Sequence, residues 1–349
     1  MYHKQQIRDA AARRGFELCG IAAATPTPDA ELYKRWTAAG FAGEMRYLTD
    51  HRAGVREDPR ALLPTARSII CLGKVYNWPA PYSTAFSDET RAWISRYAWG
   101  DDYHEVMRGS MKGMVEELGQ EVEADWRICV DTAPLLERSY ARLAGLGWIG
   151  RNTCLINQQL GSWVFLGEIL TSLEIEPDGP PPDRCGTCRR CIEACPTEAI
   201  VPFGGGFTID SRLCISYLTI ELRGDIADEL RGGMGAHVFG CDICQDVCPW
   251  NRRAAVTGDV HFAPRHRGPE LSQLAQLTEE EFRGMFRGTP VSRARYSGFL
   301  RSVAVAMGNS GDLCLVPALE KLARSDDPVV ARHASWGLEQ LSSGERRSQ

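Results

Sequence analysis

The sequence predicts a mixed α/β domain over residues 1–178, a compact cysteine-rich module over 179–255 and an α-helical region over 256–349. Three observations carry this. Amphipathic helical stretches alternate with short apolar runs through the first half, which is the pattern of helices packed on a sheet. Eight of the 13 cysteines crowd between 185 and 248. Beyond 256 helical periodicity continues, broken only at Gly- and Pro-marked turns. A chain of 349 residues, 44% hydrophobic, is long enough for two or three such cores.

In chain order, Ile7 to Phe16 reads as an amphipathic helix, followed by a short strand, Leu18 to Ala23. After the helix stop at Pro64 comes a second strand, Ser68 to Tyr76. Tyr103 to Leu118 is helical, Trp126 to Val130 is a third strand, and the apolar run Gly161 to Thr171 closes the domain. The linker Glu176-Pro-Asp-Gly-Pro-Pro-Pro-Asp183 cannot form a helix or a central strand, because its prolines lack the N–H both need. At the other end, Leu300–Leu341 reads as helix, Gly-Asn-Ser-Gly turn, helix, Asp-Asp-Pro break, helix. That pattern resembles a HEAT repeat, and a capped helical hairpin would produce it too.

Net charge is −5, so any nucleic-acid role needs a local basic patch. The N-terminal residues carry no apolar signal core, and no run of about 18 apolar residues suits a membrane span. Cysteines in C-x-x-C groupings without an export signal favour metal over disulfides and imply the reducing cytoplasm.

Cys185-x2-Cys188-x2-Cys191-x3-Cys195-Pro196 is the run that binds 4Fe–4S clusters in bacterial ferredoxins, its fourth cysteine serving the other cluster. Cys241-x2-Cys244-x3-Cys248-Pro249 repeats it with Val238 where the first cysteine belongs, and Cys214 is the one remaining cysteine in the module. Counting assigns Cys185, Cys188, Cys191 and Cys248 to one cluster, and Cys195, Cys214, Cys241 and Cys244 to the other. The competing reading is a pair of zinc sites, but zinc ribbons space their pairs more widely and lack the Cys-Pro ending. The module is therefore expected to be ferredoxin-like. The other five cysteines, Cys19, Cys71, Cys129, Cys154 and Cys314, are expected to be mostly buried structural thiols, Cys154 fitting least well.

Two clusters form a relay, and a relay needs an acceptor, for which the first domain is the obvious place. Asp131 follows a strand, where open α/β sheets place active-site groups, although a helix N-cap is an equal alternative. Gly145-Leu-Gly-Trp-Ile-Gly150-Arg-Asn-Thr153 is a glycine-rich turn that lets backbone approach a large cofactor. A helical segment precedes it where a dinucleotide fingerprint needs a strand.

These stretches together resemble the epoxyqueuosine reductases, cobalamin-dependent iron–sulfur enzymes of queuosine biosynthesis. The matching residues are Val55-Arg-Glu-Asp-Pro-Arg60, Asp131-Thr-Ala-Pro-Leu-Leu-Glu-Arg138, Gly145 to Thr153, and Gly161-Ser-Trp-Val-Phe-Leu-Gly-Glu168. The first cluster run matches as well. Cys214-Ile-Ser-Tyr-Leu-Thr-Ile-Glu221 and Phe239-Gly-Cys-Asp-Ile-Cys-Gln-Asp-Val-Cys-Pro-Trp-Asn251 are the most specific, since ordinary ferredoxins lack them. Reductive dehalogenases, which share the cobalamin-plus-two-clusters plan, are the nearest competitor. They usually carry an export signal and act on small molecules. A non-catalytic electron carrier is the third class.

The resemblance implies removal of the epoxide oxygen from epoxyqueuosine at the wobble position of a tRNA anticodon. Two 4Fe–4S clusters pass electrons from an external donor to cobalamin. It makes Asp131 the proton donor, its carboxyl raised in pKa by burial. It makes Arg56, Asn152, Gly161, Ser162 and Tyr217 candidate corrin contacts. Asp102-Tyr-His104-Glu-Val-Met107 lacks the glycine of the cobalt-ligating D-x-H-x-x-G string, so His104 is expected to serve only in local hydrogen bonding. For tRNA, the candidates are Arg223 beside the cluster module and Arg283, Arg287, Arg293 and Arg295. The last four lie in a stretch with no acidic residue between Phe282 and Gly311, with Arg301, Tyr296 and Phe299 interleaved. A monomer suits so large a substrate.

Overall fold

The structure, a computed structural model, describes residues 4–347, with side chains through 343. Its first part is built on a four-stranded sheet: β1 (Leu18–Ala23), β2 (Ser68–Val75), β3 (Trp126–Cys129) and β4 (Val164–Thr171). The order is β1-β2-β4-β3 and every neighbouring pair is antiparallel. The strands lie where the apolar runs predict them. Their direction corrects one expectation: the rule that places sites at the carboxyl ends of parallel strands does not apply to this sheet.

Both faces of the sheet are covered, which is why all eight residues of β2 are buried. On one face, α1 (Lys4–Arg13) and α2 (Tyr103–Gly119) pack Ile7, Ala10, Met107, Met111 and Met114 against Ile21, Ile70, Leu72 and Ile169. Gly167 permits the close approach of α2: a Cβ there would lie 2.9 Å from Met111 Sδ. On the other face, α3 (Glu137–Leu143) packs Tyr140 and Ala141 with Ala22, Ile69, Cys71, Cys129 and Leu170.

The cysteine-rich part carries a hairpin, Ile200–Phe203 with Gly206–Ile209, and the buried helix α4 (Ile215–Ile220). Its strand His237–Phe239 pairs in parallel with Trp93–Ile94 of the first part. Then come α5 (Arg295–Asn309), α6 (Val316–Ala323) and α7 (Pro328–Arg347). Helix α5 is buried continuously from Gly298 to Gly308. Gly308 lets it cross α7 closely, since a Cβ there would meet Gly337 Cα at 2.6 Å. A single core joins Trp93, Ile94 and Trp99 to Ile220, Val238 and Phe239 and to Phe299, Val303, Leu319 and Val330. Among the described residues no helix is long and apolar enough to cross a membrane.

Two expectations fail here. Cys314 is exposed, so it is not a buried structural thiol. Arg301 is fully buried, and its guanidinium donates to the carbonyls of Leu218, Leu222 and Gly224, satisfying the end of α4. It is a structural arginine unavailable to phosphate. The interleaved aromatics face inward as well. Phe299 is fully buried, and the half-buried Tyr296 donates its hydroxyl to Leu277 O, because α5 turns its apolar side to the core.

Candidate active site

The eight module cysteines fall into two spatial groups. The Cys191 thiol is surrounded by those of Cys248, Cys185 and Cys188, and burial with these neighbours pushes it up to about 11. Cys241 faces Cys214 and Cys195, and Cys244 faces Cys241 and Cys214. Each group contains the four residues that counting assigned to it. Among the described residues, no three Cys, His, Asp or Glu side chains are grouped tightly enough to hold one metal ion. A cubane carries its four thiolates on four separate irons, so such a spread suits a cluster rather than a mononuclear site. Cys154 lies within hydrogen-bonding reach of Cys244, at the edge of the second group.

Between the first part and the cysteine module runs a cleft of about 830 Å³. One wall is Tyr33, Trp36, Tyr47, Arg56 and the Leu135–Ser139 segment, and the opposite wall is Ser216, Tyr217, Ile220 and Glu221. Cys214 and Asp131 both line it, so a cysteine of the second group and the strand-end aspartate open on one space. The glycine-rich turn contributes Trp148, Ile149 and Thr153.

Asp131 sits two residues beyond β3 with φ of +48°, a left-handed conformation that a non-glycine residue rarely adopts. Its N–H donates to Glu137 Oε1 at 2.5 Å, and its carboxylate Oδ2 meets His104 Nε2 at 3.0 Å. The side chain is 48% exposed and lines the cleft. His104 Nδ1 lies 2.7 Å from Asp102 Oδ1, and Asp102 is also the N-cap of α2. The imidazole stacks on Tyr103, which stacks in turn on Phe165.

This geometry decides where the proton sits. Burial and the nearby helix N-terminus disfavour a cationic His104, the latter by about 0.3–1 kcal/mol. Two charge-assisted hydrogen bonds, each worth about 1.5–3 kcal/mol, outweigh this. Against burial, Asp102 and Asp131 push His104 up to about 9. Burial would raise Asp131, but His104 and then Arg293 hold it below the usual carboxylate range. The expectation of a carboxyl raised by burial is therefore corrected. With the cleft open, Asp131 is a carboxylate, and the proton it would give rests on His104.

The candidate corrin contacts divide. Arg56 and Tyr217 line the cleft. Arg56 is buried, donating to Tyr47 O and Arg52 O, and the Tyr217 hydroxyl accepts from Glu44 N. Asn152, Gly161 and Ser162 lie behind the wall and join the two parts of the protein. Asn152 Nδ2 donates to Cys244 O. Gly161 has φ of +77°, and a Cβ there would lie 2.3 Å from Asn251 Oδ1. Ser162 accepts from Asn251 and Gln245. Their spacing reported a packed junction.

The candidate tRNA arginines also differ in availability. Arg287 and Arg295 are exposed. Arg283 pairs with Glu279 along its helix. Arg293 is bound to Glu221 at the cleft mouth, its guanidinium over Tyr47. Arg223 donates to the carbonyls of Arg293 and Ala294.

Comparison with known proteins agrees with this geometry. The family pattern described as "4Fe-4S double cluster binding domain" matches residues 184–251. The one described as "Epoxyqueuosine reductase QueG, DUF1730" matches residues 56–132. The epoxyqueuosine reductase of Xanthomonas campestris pv. campestris is 39% identical over 341 residues, covering 96% of this chain and 95% of its own. The chain belongs to the epoxyqueuosine reductase family. Among solved structures, the family member from Streptococcus thermophilus superposes with a TM-score of 0.88 at 29% identity, over 98% of this chain and 91% of that one. Another member, solved with a tRNA-Tyr epoxyqueuosine-modified stem loop, gives 0.85 at 28% identity, over 99% and 93%.

The cleft fits the cobalamin that the family resemblance implies. It is open on one side, lined by aromatic and aliphatic side chains suited to a flat macrocycle, and reaches Cys214 of the second cysteine group. Sequence reasoning missed His104 as a partner of Asp131, because the Asp102-x-His104 pair was weighed only as a cobalt ligand. It also passed over Glu137 and Glu168, although both lie in stretches that match the family.

Proposed function

We infer that this chain reduces epoxyqueuosine to queuosine in tRNA. The observation that carries the reading is the juxtaposition of Asp131, paired with His104, and Cys214 of the second cluster group across one cleft. Residues 1–178 hold the catalytic side of the cleft, 179–255 the two 4Fe–4S clusters, and 256–349 the helical region, whose α5–α7 fit one HEAT-like repeat. Cobalamin in the cleft would supply low-valent cobalt to reduce the epoxide carbon. Arg56 and Tyr217 would be among the residues that hold it. Cys185, Cys188, Cys191 and Cys248 would hold the cluster remote from the cleft and Cys195, Cys214, Cys241 and Cys244 the nearer one, and the two would supply electrons taken from an external donor.

The chain's own chemistry is proton delivery. His104 holds a proton at neutral pH and passes it to Asp131 Oδ2, which protonates the departing oxygen. The low-lying Asp131 carboxylate gives up that proton readily once it has it. Among the candidate arginines, the exposed Arg287 and Arg295 are placed to meet the tRNA backbone, and Arg293, paired with the cleft-lining Glu221, stands where a flipped base would enter. A monomer in the cytoplasm suits this role.

The test is anaerobic reconstitution with iron, sulfide and cobalamin, followed by assay on epoxyqueuosine-containing tRNA. Conversion to queuosine is expected. A protein with full clusters and bound corrinoid that leaves the epoxide intact would overturn the reading.

A further inference from the structure

Beneath Asp131 lies a second pair of acids. Glu168 is on β4, directly opposite Cys71 of β2 and Cys129 of β3 in the sheet register. All three side chains therefore point to the face that α3 covers. Glu168 has no exposed surface, and its carboxylate oxygens meet no hydrogen-bond donor apart from the Glu137 carboxyl. The group it faces is the carboxyl of Glu137, the first residue of α3. Glu137 in turn lines the cleft and accepts the Asp131 N–H.

Among the described residues, no cation forms an ion pair with either carboxyl. Around Glu168 stand the Cys71 and Cys129 thiols, both pushed up by burial and then by Glu168 itself, together with Glu137 and Asp131. Arg138 is the cation nearest to Glu137, and its guanidinium is spent on Thr153 O and Oγ1. An ionised carboxylate in such a place is far costlier than a protonated one. Burial, reinforced at Glu137 by Asp131 and at Glu168 by Glu137, favours the acid forms of both.

Resting on the function inferred above, we propose that Glu168, fully buried, and Glu137, at the cleft wall, form a proton store that recharges Asp131, delivering the second proton of each turnover. The balance requires two. Removing the oxygen of an epoxide breaks two C–O bonds, forms one C=C bond and releases water, consuming two electrons and two protons. The clusters carry the electrons. His104 holds one proton in contact with Asp131, and the carboxylic acid pair holds the other. As Asp131 loses its first proton, Glu137 passes its own to the Asp131 carboxylate and is refilled from Glu168. Glu168 has no surface on the cleft, Glu137 lines it, and in this scheme both act through Asp131 as storage groups.

The test has two arms on the reconstituted full chain. Infrared difference spectra of the wild-type holoenzyme at neutral pH should show the carbonyl stretch of a protonated carboxylic acid, shifted in deuterium oxide and lost in Glu168→Gln. In single-turnover assays, Glu168→Gln and Glu137→Gln should each lower the rate on the order of a hundredfold at pH 8. Binding of the tRNA should be unchanged in Glu168→Gln, whose side chain has no exposed surface, and the loss in both variants should shrink toward acid pH, where Asp131 can be recharged from water. No carboxylic-acid band in the wild type, or variants whose loss is the same at every pH, would overturn the proposal. Failure of the inferred function would show differently: the wild type would have the band yet convert no substrate.

Discussion

His104 Nε2 stands 3.0 Å from Asp131 Oδ2, and its other ring nitrogen 2.7 Å from Asp102 Oδ1. The imidazole is thus held as a cation between two carboxylates, and the proton for the departing oxygen is stored one bond away from the residue that delivers it.

Asp131→Asn keeps the shape of this contact and removes the ability to carry a proton. Single-turnover reduction should fall by about 10² to 10⁴, while the cluster absorption and tRNA affinity stay as in the wild type. Full turnover in this variant would remove Asp131 from the reaction.

The pH dependence follows from the sign of the His104 shift. Its proton is bound more tightly folded than unfolded, about 9 against an ordinary 6.5. The bridge's contribution to stability is therefore complete below about 6.5 and lost as pH rises through about 9. Turnover should decline over the same upper limb. His104→Gln should abolish the stability change across that window and bring the fall in turnover to lower pH. Thermal melts and rate profiles from pH 6 to pH 10 check both.

Cys214→Ala tests the cluster assignment. Cys214 stands outside both cysteine runs yet faces Cys195 and Cys241. Its loss should leave the Cys185–Cys188–Cys191–Cys248 cluster intact and destabilise the other, lowering iron content by roughly half after gel filtration. Retention of all the iron would place the fourth ligand elsewhere.

Two kinds of arginine in α5 and its approach should behave oppositely. Arg301→Met leaves the carbonyls of Leu218, Leu222 and Gly224 without a donor and should cost about 3 kcal/mol of stability, read from denaturant unfolding. Arg287→Ala and Arg295→Ala should leave stability nearly unchanged. Each should weaken tRNA binding and reduce its salt slope by about 1. Equal salt slopes in wild type and both variants would move the tRNA surface elsewhere.

Much of the molecule is legible in the sequence because it is local. Strand β1 is where its apolar run predicts it, and β2 ends one residue early, at Val75. The division of the eight module cysteines into two neighbouring sets of four follows from their spacing, because a cubane demands four thiolates and the module supplies eight. Asp131 is marked by the family stretch that contains it. What the sequence does not hold is direction and charge. Strand order depends on long-range pairing, which one-residue periodicity cannot report, so the antiparallel sheet emerged only in three dimensions. Asn152, Gly161 and Ser162 carry the same family stretch whether they face a cofactor or a domain junction, and only packing placed them at the junction. The protonation of Asp131 is the clearest case. Burial alone argues for a raised carboxyl, but the fold sets His104, 27 residues away in sequence, against it. A nearby opposite charge outweighs desolvation, and tertiary structure alone supplies that charge.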